Sequence, residues 1–177
     1  MSLRKLLASA VVATALALPA AAEYRDESVP LTTVNVDLGR YLGTWYEIAR
    51  YPNNFERGCV GVTAQYARDG DKISVLNTCR KGSVDGPATS RKGEAVPVGP
   101  GKLKVDFVPW LGGLAAGDYW VLYVAPDYSL AVVGEPSGKF GWILSRTPQI
   151  RQSQLDTALS VFARNGYDTG ELRLVPQ

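Results

Sequence analysis

The sequence contains no histidine and only two cysteines, Cys59 and Cys79. Without histidine, Ser-His-Asp and Cys-His nucleophile systems are excluded, and the commonest protein ligand of transition metals and haem is absent. We therefore expect no enzymatic activity, no catalytic residues, no metal site and no cofactor.

A basic excess is also missing once the first 22 residues are set aside. Arg4 and Lys5 precede an apolar run at 6–18, and Pro19 and three alanines follow it. This order is typical of a secretory signal peptide, and about 13 apolar residues are too few to span a bilayer core, which needs roughly 20. The remaining chain has 17 basic and 17 acidic residues. Such a balance provides no electrostatic footprint for nucleic acid or an anionic membrane.

Cleavage after Ala22 would leave an exported protein, periplasmic or secreted, that begins at Glu23. No cysteine follows the small residues at 20–22, so we expect no lipid anchor on an N-terminal cysteine. In an oxidising compartment Cys59 and Cys79 are expected to form a disulfide. The sequence thus predicts a signal peptide at 1–22, an N-terminal extension at 23–34 and one domain at 35–177.

Eight short strands separated by Gly, Pro and Asp are predicted between residues 45 and 146. Their predicted bounds are 45–51, 59–68, 72–80, 89–98, 102–108, 118–125, 130–135 and 140–146. Tight turns at Asp69-Gly70, at 99–101 and at 126–128 alternate with longer joins. In an up-and-down antiparallel β-barrel, this alternation gathers the tight turns at one end and the loops at the other. The fold predicted is an all-β cup with one open end.

One helix is predicted, with Pro148 at its start and its end near Asn165, and its apolar stripe is expected to cover the outside of the barrel. Period-2 alternation places Leu103, Val105 and Phe107 on one strand face, and Trp120 and Leu122 on another. Eight strands enclose either a core filled by side chains or a cavity for one small ligand. The alternation alone leaves both possibilities open.

Residues 35–50 contain Gly43-Thr44-Trp45 within Tyr-Leu-Gly-Thr-Trp-Tyr-Glu-Ile-Ala, which resembles the first signature of the lipocalin family. Asp127 and Tyr128 match the second signature, with Pro126 where the family has Thr. Arg146, at the end of the last barrel strand, matches the third. The sequence is most similar to bacterial, outer-membrane-lipoprotein-type lipocalins and to apolipoprotein D-like members, over about residues 35–175.

The resemblance implies a small hydrophobic ligand, a fatty acid or lysophospholipid, which the protein stores or transports. It implies structural roles for Gly43, Trp45, Asp127, Tyr128 and Arg146, with the arginine stacked on the tryptophan at the closed end. By position relative to the signatures, the ligand-lining residues are expected at Phe55, Tyr66, Asn77, Val105, Phe107, Trp120, Val133 and Phe140. Asn77 either is a satisfied structural amide or orients a ligand headgroup.

Three further questions stay open on the sequence. Trp110, Leu111 and Leu114 either close over a ligand, contact a membrane or a partner, or pack as an ordinary loop. A two-residue turn at Asp69-Gly70 places Cys79 opposite Val60, whereas a three-residue turn places the two cysteines opposite each other. A bulge near Gly58 or Gly61 would allow the cysteines to pair after a turn of either length. The alternatives to a carrier are an exported partner-binding barrel with a filled core, and a lipocalin-fold enzyme in which Glu47 acts as acid or base.

Overall fold

A computed structural model describes residues 23–177, so the predicted signal peptide at 1–22 lies outside the described residues. Eight antiparallel strands form a closed barrel, because the first strand pairs with both the second and the eighth. The strands are β1 Gly43–Arg50, β2 Cys59–Asp69, β3 Lys72–Lys81, β4 Ala88–Gly99, β5 Lys102–Asp106, β6 Gly117–Val124, β7 Leu130–Gly134 and β8 Gly141–Ser145. A two-residue strand, β9 Arg173–Leu174, adds to β1 on the outside. The predicted eight-stranded up-and-down barrel is confirmed.

Most predicted strand bounds agree with the structure within one residue, but β5 ends two residues earlier than predicted. The side-chain oxygen Oδ1 of Asp106 accepts a hydrogen bond from the backbone N–H of Val108 at 2.7 Å. This local turn offers the backbone an alternative to the strand ladder. The chain therefore leaves the sheet after Asp106.

The first tight turn lies one residue later than predicted. Asp69 pairs with Lys72, so the central residues of the turn are Gly70 and Asp71. Only Gly70 has a positive φ, +58°. A hairpin turn with glycine at its first central position requires a positive φ at that position alone. The predicted turn required a positive φ at both central positions.

The disulfide between Cys59 and Cys79 is present, with the two Cα atoms 5.2 Å apart. The two-residue turn sets the β2–β3 pairing as far as Thr63 and Thr78, and the register then shifts between Val60 and Thr63. Gly61 lies within this bulge and has a φ of +54°. Beyond the bulge Cys59 pairs with Lys81, so Cys79 lies two positions from the residue opposite Cys59 and the two cysteines meet diagonally across the strands.

The C-terminal helix α2 spans Gln152–Arg164 and packs against β6 and β7, outside the barrel. It begins four residues after Pro148, because the side-chain Oε1 of Gln154 accepts a hydrogen bond from the backbone N–H of Arg151 and so caps the helix there. Its buried residues Ala158, Val161 and Phe162 face the barrel wall. The predicted outer position of the helix is confirmed.

A short helix that the sequence pattern did not reveal, α1 Leu38–Tyr41, precedes β1. Asp37 caps this helix by accepting a hydrogen bond from the backbone N–H of Gly39 at 2.9 Å. Four residues are too few for a periodic apolar pattern. The helix directs the buried Tyr41 into the closed end of the barrel.

Residues 23–34 run along the outside of the barrel, where the backbone of Tyr24 bonds to Gly138 and Asp168. Further on, the backbone N–H of Val34 donates to the carbonyl of Val121. Among residues 23–177, no helix combines the length and apolarity that crossing a bilayer requires.

Candidate functional site

A cavity of about 200 Å³ lies inside the barrel and reaches the end that carries the long loops. Phe55, in the loop after β1, lines the cavity with a side chain that is 63% exposed, so the cavity opens at this end. Six of the eight sequence-predicted ligand residues line it: Phe55, Tyr66, Asn77, Val105, Phe107 and Phe140. The ring centroids of Phe55 and Phe140 lie 5.4 Å apart at the mouth.

Trp120 and Val133 are the two predicted ligand residues that do not line the cavity. Trp120 packs outside the barrel against the core beneath α2, and the Nζ of Lys102 lies 3.9 Å from its ring centroid. The inward residues of β6 are its neighbours Tyr119 and Val121, so the prediction for Trp120 was wrong by one position. Val133 points inward but is fully buried in the packed lower core, below the cavity.

Three tyrosines form the polar floor of the cavity. The hydroxyl of Tyr119 lies 2.8 Å from that of Tyr41 and accepts a hydrogen bond from that of Tyr66 at 3.0 Å. Burial raises the pKa of Tyr66 to about 12 and the pKa of Tyr119 well above its ordinary value. These hydroxyls therefore stay protonated and present neutral hydrogen-bonding groups beneath the ligand space.

The closed end of the barrel is sealed by Trp45 and Arg146. Trp45 is fully buried, and the guanidinium carbon of Arg146 lies 3.9 Å from its ring centroid. The Nε1 of Trp45 donates to the carbonyl of Tyr41 at 2.8 Å. The guanidinium also donates to four backbone carbonyls of the incoming chain: Arg40, Tyr41, Leu42 and Thr44.

The other signature residues shape the same end. Gly43 has a φ of +97°, and a Cβ atom there would lie 3.3 Å from Nη1 of Arg146. Asp127 holds the β6–β7 turn by accepting from the backbone N–H and the hydroxyl of Ser129, at 3.0 and 2.7 Å. The hydroxyl of Tyr128 accepts from the backbone N–H of Asp37 at 2.8 Å. All these contacts lie away from the cavity.

One wall of the cavity carries two buried carboxyl groups, Glu47 and Glu56, which are 4% and 8% exposed. The Nη1 of Arg50 donates to Oε1 of Glu47 at 2.6 Å. Oε2 of Glu56 accepts from Nδ2 of Asn53 at 2.5 Å and from Nε1 of Trp142 at 3.2 Å. Burial, followed by the charge of Glu56 and a hydrogen bond to it, raises the pKa of Glu47 well above its ordinary value, although Arg50 acts in the opposite direction.

Sequence reasoning missed Glu56, Trp142 and Tyr119 as cavity residues. Glu56 lies in a loop, where no periodicity shows which way a side chain points. Trp142 and Tyr119 follow the inward alternation of β8 and β6, and the signal for Tyr119 was masked by choosing the opposite face of β6. Glu47 was singled out from the sequence, and the structure places it on the cavity wall against Arg50.

The arrangement offers an apolar space with a few polar groups, which suits enclosure of a small hydrophobic molecule. Within residues 23–177, no group of three or more cysteine or acidic side chains is placed to hold a metal ion. Both cysteines of the chain, Cys59 and Cys79, are joined in the disulfide, so neither provides a free thiol.

Comparison with known proteins agrees with this architecture. A family model described as Lipocalin-like domain matches residues 36–177. Outer membrane lipoprotein Blc of Escherichia coli K12 is 40% identical over 150 residues, covering 81% of this chain and 80% of the relative. Apolipoprotein D of Macaca fascicularis is 30% identical over 160 residues, covering 84% and 80%.

The solved structure of lobster apocrustacyanin A1 superimposes with a TM-score of 0.64 at 22% identity, covering 84% of this chain and 90% of that one. This likeness supports the fold. The sequence matches extend through the barrel, the signature residues and the C-terminal helix. The chain belongs to the lipocalin family, whose members bind small hydrophobic ligands.

Proposed function

We propose that this lipocalin is an exported carrier that stores or transports a single-chain lipid, a fatty acid or lysophospholipid, in its barrel cavity. The observation that carries the proposal is the apolar cavity, which reaches the surface beside Phe55 and Phe140. A core filled wall to wall would offer no such space. The proposed ligand-lining residues are the six that face the cavity: Phe55, Tyr66, Asn77, Val105, Phe107 and Phe140.

The proposed mechanism is burial of an acyl chain. Each methylene transferred from water to an apolar cavity contributes about 0.8 kcal/mol, part of which is offset by the loss of chain freedom. Val105 and Phe107 supply apolar walls, and the tyrosine floor stops the chain above the packed core. The cavity is narrow, and this favours one chain over two.

Mass spectrometry of an organic extract of the purified protein tests the proposal directly, since a single-chain lipid should co-purify. Val105→Trp should fill the cavity and weaken binding of a fluorescent fatty acid about tenfold or more. Val96→Trp is the matched control, because Val96 is 40% exposed on the neighbouring strand. Equal binding by both variants, or a protein that neither carries nor binds lipid, would refute the carrier function.

We further propose that the open end contacts membranes transiently to exchange ligand. Phe55, Trp110 and Leu114 are 63%, 79% and 90% exposed, and all three lie in connections between strands at this end, Trp110 within a short 3-10 helix at Pro109–Leu111. Large exposed apolar side chains grouped at one end are typical of an interaction surface. A ligand that is barely soluble in water also needs such a route between bilayer and cavity.

Flotation with phosphatidylcholine vesicles tests the membrane contact. Replacing Trp110 and Leu114 by serine should reduce the vesicle-bound fraction, whereas Val98→Ser should not, because Val98 lies beside the tight turn at the closed end. If the two variants float alike, the open-end loops are not the contact surface.

Export is proposed from the basic and apolar composition of residues 1–22 and from the small residues before Glu23. N-terminal sequencing of the protein recovered outside the cytoplasm should begin at or near Glu23. An intact Met1 on that material would refute cleavage.

A further inference from the structure

The cavity contains a polar group that has no partner within the described residues. The side-chain oxygen of Asn77 is buried, accepts no hydrogen bond and belongs to the cavity lining. A buried amide oxygen without a donor is unfavourable, so its position indicates a polar group of the ligand. An amide can present either its oxygen or its nitrogen after rotation. Asn77 is therefore expected to contact a polar group of the ligand. The charged groups that line the cavity decide which charge that polar group carries.

Those charged groups are dominated by carboxyls. Glu47 and Glu56 both line the cavity, and both are buried. Their cationic neighbour is Arg50, whose Nη1 donates to Glu47 and whose Nη2 donates to the backbone carbonyls of Glu56 and Cys59, at 3.1 and 2.9 Å. The guanidinium of Arg50 is thus paired with the Glu47 carboxyl alone, and both its terminal nitrogens are already engaged.

No lysine or arginine occurs among the described residues that line the cavity. Asp118 also lines it but is paired with Lys104 at 2.9 Å. The remaining polar lining groups near the floor, Tyr66 and Tyr119, are satisfied within the tyrosine network. An anionic ligand head placed against the Glu47–Glu56 wall would find like charge and no free cationic donor.

We propose that the Glu47–Glu56 wall, together with Asn77, binds a positively charged hydrogen-bond donor, so that the barrel prefers a single-chain amphiphile with an ammonium group over one with a free carboxylate. This inference rests on the proposed carrier function and revises its ligand class, because a fatty acid carries the carboxylate head that the Glu47–Glu56 wall disfavours.

The preference follows from what each head group brings to the same wall. An ammonium group supplies three N–H donors and a positive charge for two carboxyls that have one cation between them. A positive charge placed beside Glu47 favours its ionised form and so opposes the effect of burial, which raises the pKa of this carboxyl. An alcohol supplies one donor without charge, and a carboxylate supplies none. The order of affinity should be amine, alcohol, carboxylate.

Displacement of a neutral fluorescent probe, N-phenyl-1-naphthylamine, by dodecylamine, dodecanol and dodecanoate compares the three heads on one chain at pH 7. All three are used below their micelle concentrations. Dodecylamine should displace the probe at a concentration about tenfold or more below that of dodecanoate, with dodecanol between them. Dodecanoate binding as tightly as the amine would overturn the inference.

The double substitution Glu47→Gln with Glu56→Gln keeps the side-chain shapes and removes the carboxyls. The amine should then bind within about twofold of the alcohol, while unchanged dodecanol binding reports an intact cavity. Glu56→Gln alone keeps the Arg50–Glu47 contact and should reduce, without abolishing, the higher affinity for the amine than for the alcohol. Glu94→Gln, at the Lys72 pair on the outer surface, is the control for a change of net charge. An amine advantage that survives Glu56→Gln and the double substitution would refute the subsite.

The same data separate this inference from the carrier function. If neither the probe nor any of the three amphiphiles binds, the carrier function itself fails. If all three bind with equal affinity, the carrier function stands and the ammonium subsite is wrong.

Discussion

The guanidinium carbon of Arg146 lies over the ring of Trp45, 3.9 Å from its centroid, and this pair seals the end of the barrel opposite the cavity mouth. A cation–π contact shielded from water is worth about 1–2 kcal/mol. The same guanidinium joins the chain before β1 to the end of β8 through its carbonyl contacts. Arg146 therefore connects two parts of the chain that are distant in sequence.

Arg146→Ala should destabilise the protein without emptying its cavity. Loss of the stacking and of the bonds to backbone carbonyls is expected to cost about 2–4 kcal/mol, which is roughly 5–12 °C in melting temperature for a chain of this size. Ligand affinity at 20 °C should change by less than about threefold, because Arg146 does not line the cavity. Thermal unfolding followed by circular dichroism, with ligand displacement in parallel, checks both expectations. A larger effect on affinity than on melting temperature would overturn the structural role.

Reduction of the Cys59–Cys79 disulfide should lower stability but leave the barrel folded at room temperature. The bond closes a loop with a sequence separation of 20 residues, and the chain-entropy model assigns such a loop about 3 kcal/mol. Urea unfolding of the Cys59→Ser, Cys79→Ser double variant against the oxidised protein measures the difference. Addition of dithiothreitol should then lower the midpoint of the oxidised protein and leave that of the variant unchanged. A lower urea midpoint of the variant after addition of dithiothreitol would show that the reagent acts on stability other than through this disulfide.

The sequence predicted the barrel because period-2 alternation and turn residues are local signals that recur eight times. Some departures from the predictions have a local cause, such as the Asp106 turn that ends β5, whereas the turn after β2 and the orientation of β6 were decided by non-local contacts. The turn between β2 and β3 uses Gly70 and Asp71, a choice fixed by the pairing of whole strands. In β6, both Tyr119 and Trp120 are aromatic, so composition did not indicate which of them faces inward. The adjacent helix covers Trp120, and this decided the orientation.

The acidic wall of the cavity was harder to predict than its apolar residues. Glu47 occupies an inward position on β1, but its partner Glu56 comes from the following loop. The indole of Trp142 holds Glu56 from β8, and the amide of Asn53 holds it from within the same loop. Only the folded backbone brings these four side chains together, so no residue spacing in the sequence predicts that Glu47 and Glu56 share one wall.

The pH dependence of stability should change when Glu47 is replaced by Gln. Burial raises the pKa of Glu47 in the folded state above its ordinary value of 4.5, so the unfolded chain loses this proton at a lower pH than the folded protein does. Near pH 4, glutamate and glutamine should therefore give similar stability at this site. As pH rises above 4.5, the unfolded chain is stabilised by ionisation, and the wild type loses stability relative to Glu47→Gln.

Urea unfolding of both proteins at intervals from pH 4 to pH 8 measures this difference. The Gln variant should gain relative stability as the pH rises above 4.5 and then reach a plateau above the folded-state pKa of Glu47. The exposed Glu94→Gln variant, whose carboxyl lies outside the cavity, should show no such gain. A Gln variant that becomes relatively less stable at neutral pH would mean that Arg50 dominates over burial and over Glu56.

The tyrosine floor predicts an ordering among three conservative substitutions. Tyr119 is the centre of the network, since it contacts the hydroxyls of both Tyr41 and Tyr66. Tyr119→Phe leaves two buried hydroxyls without their partner, and each such group costs about 1–3 kcal/mol. Tyr66→Phe leaves Tyr119 bonded to Tyr41, so its cost should be smaller by at least about 1 kcal/mol. Chemical denaturation of the two variants and of Tyr41→Phe measures the order. Equal destabilisation by all three would show that the hydroxyls do not act as one network, and that the ligand space rests on ring packing alone.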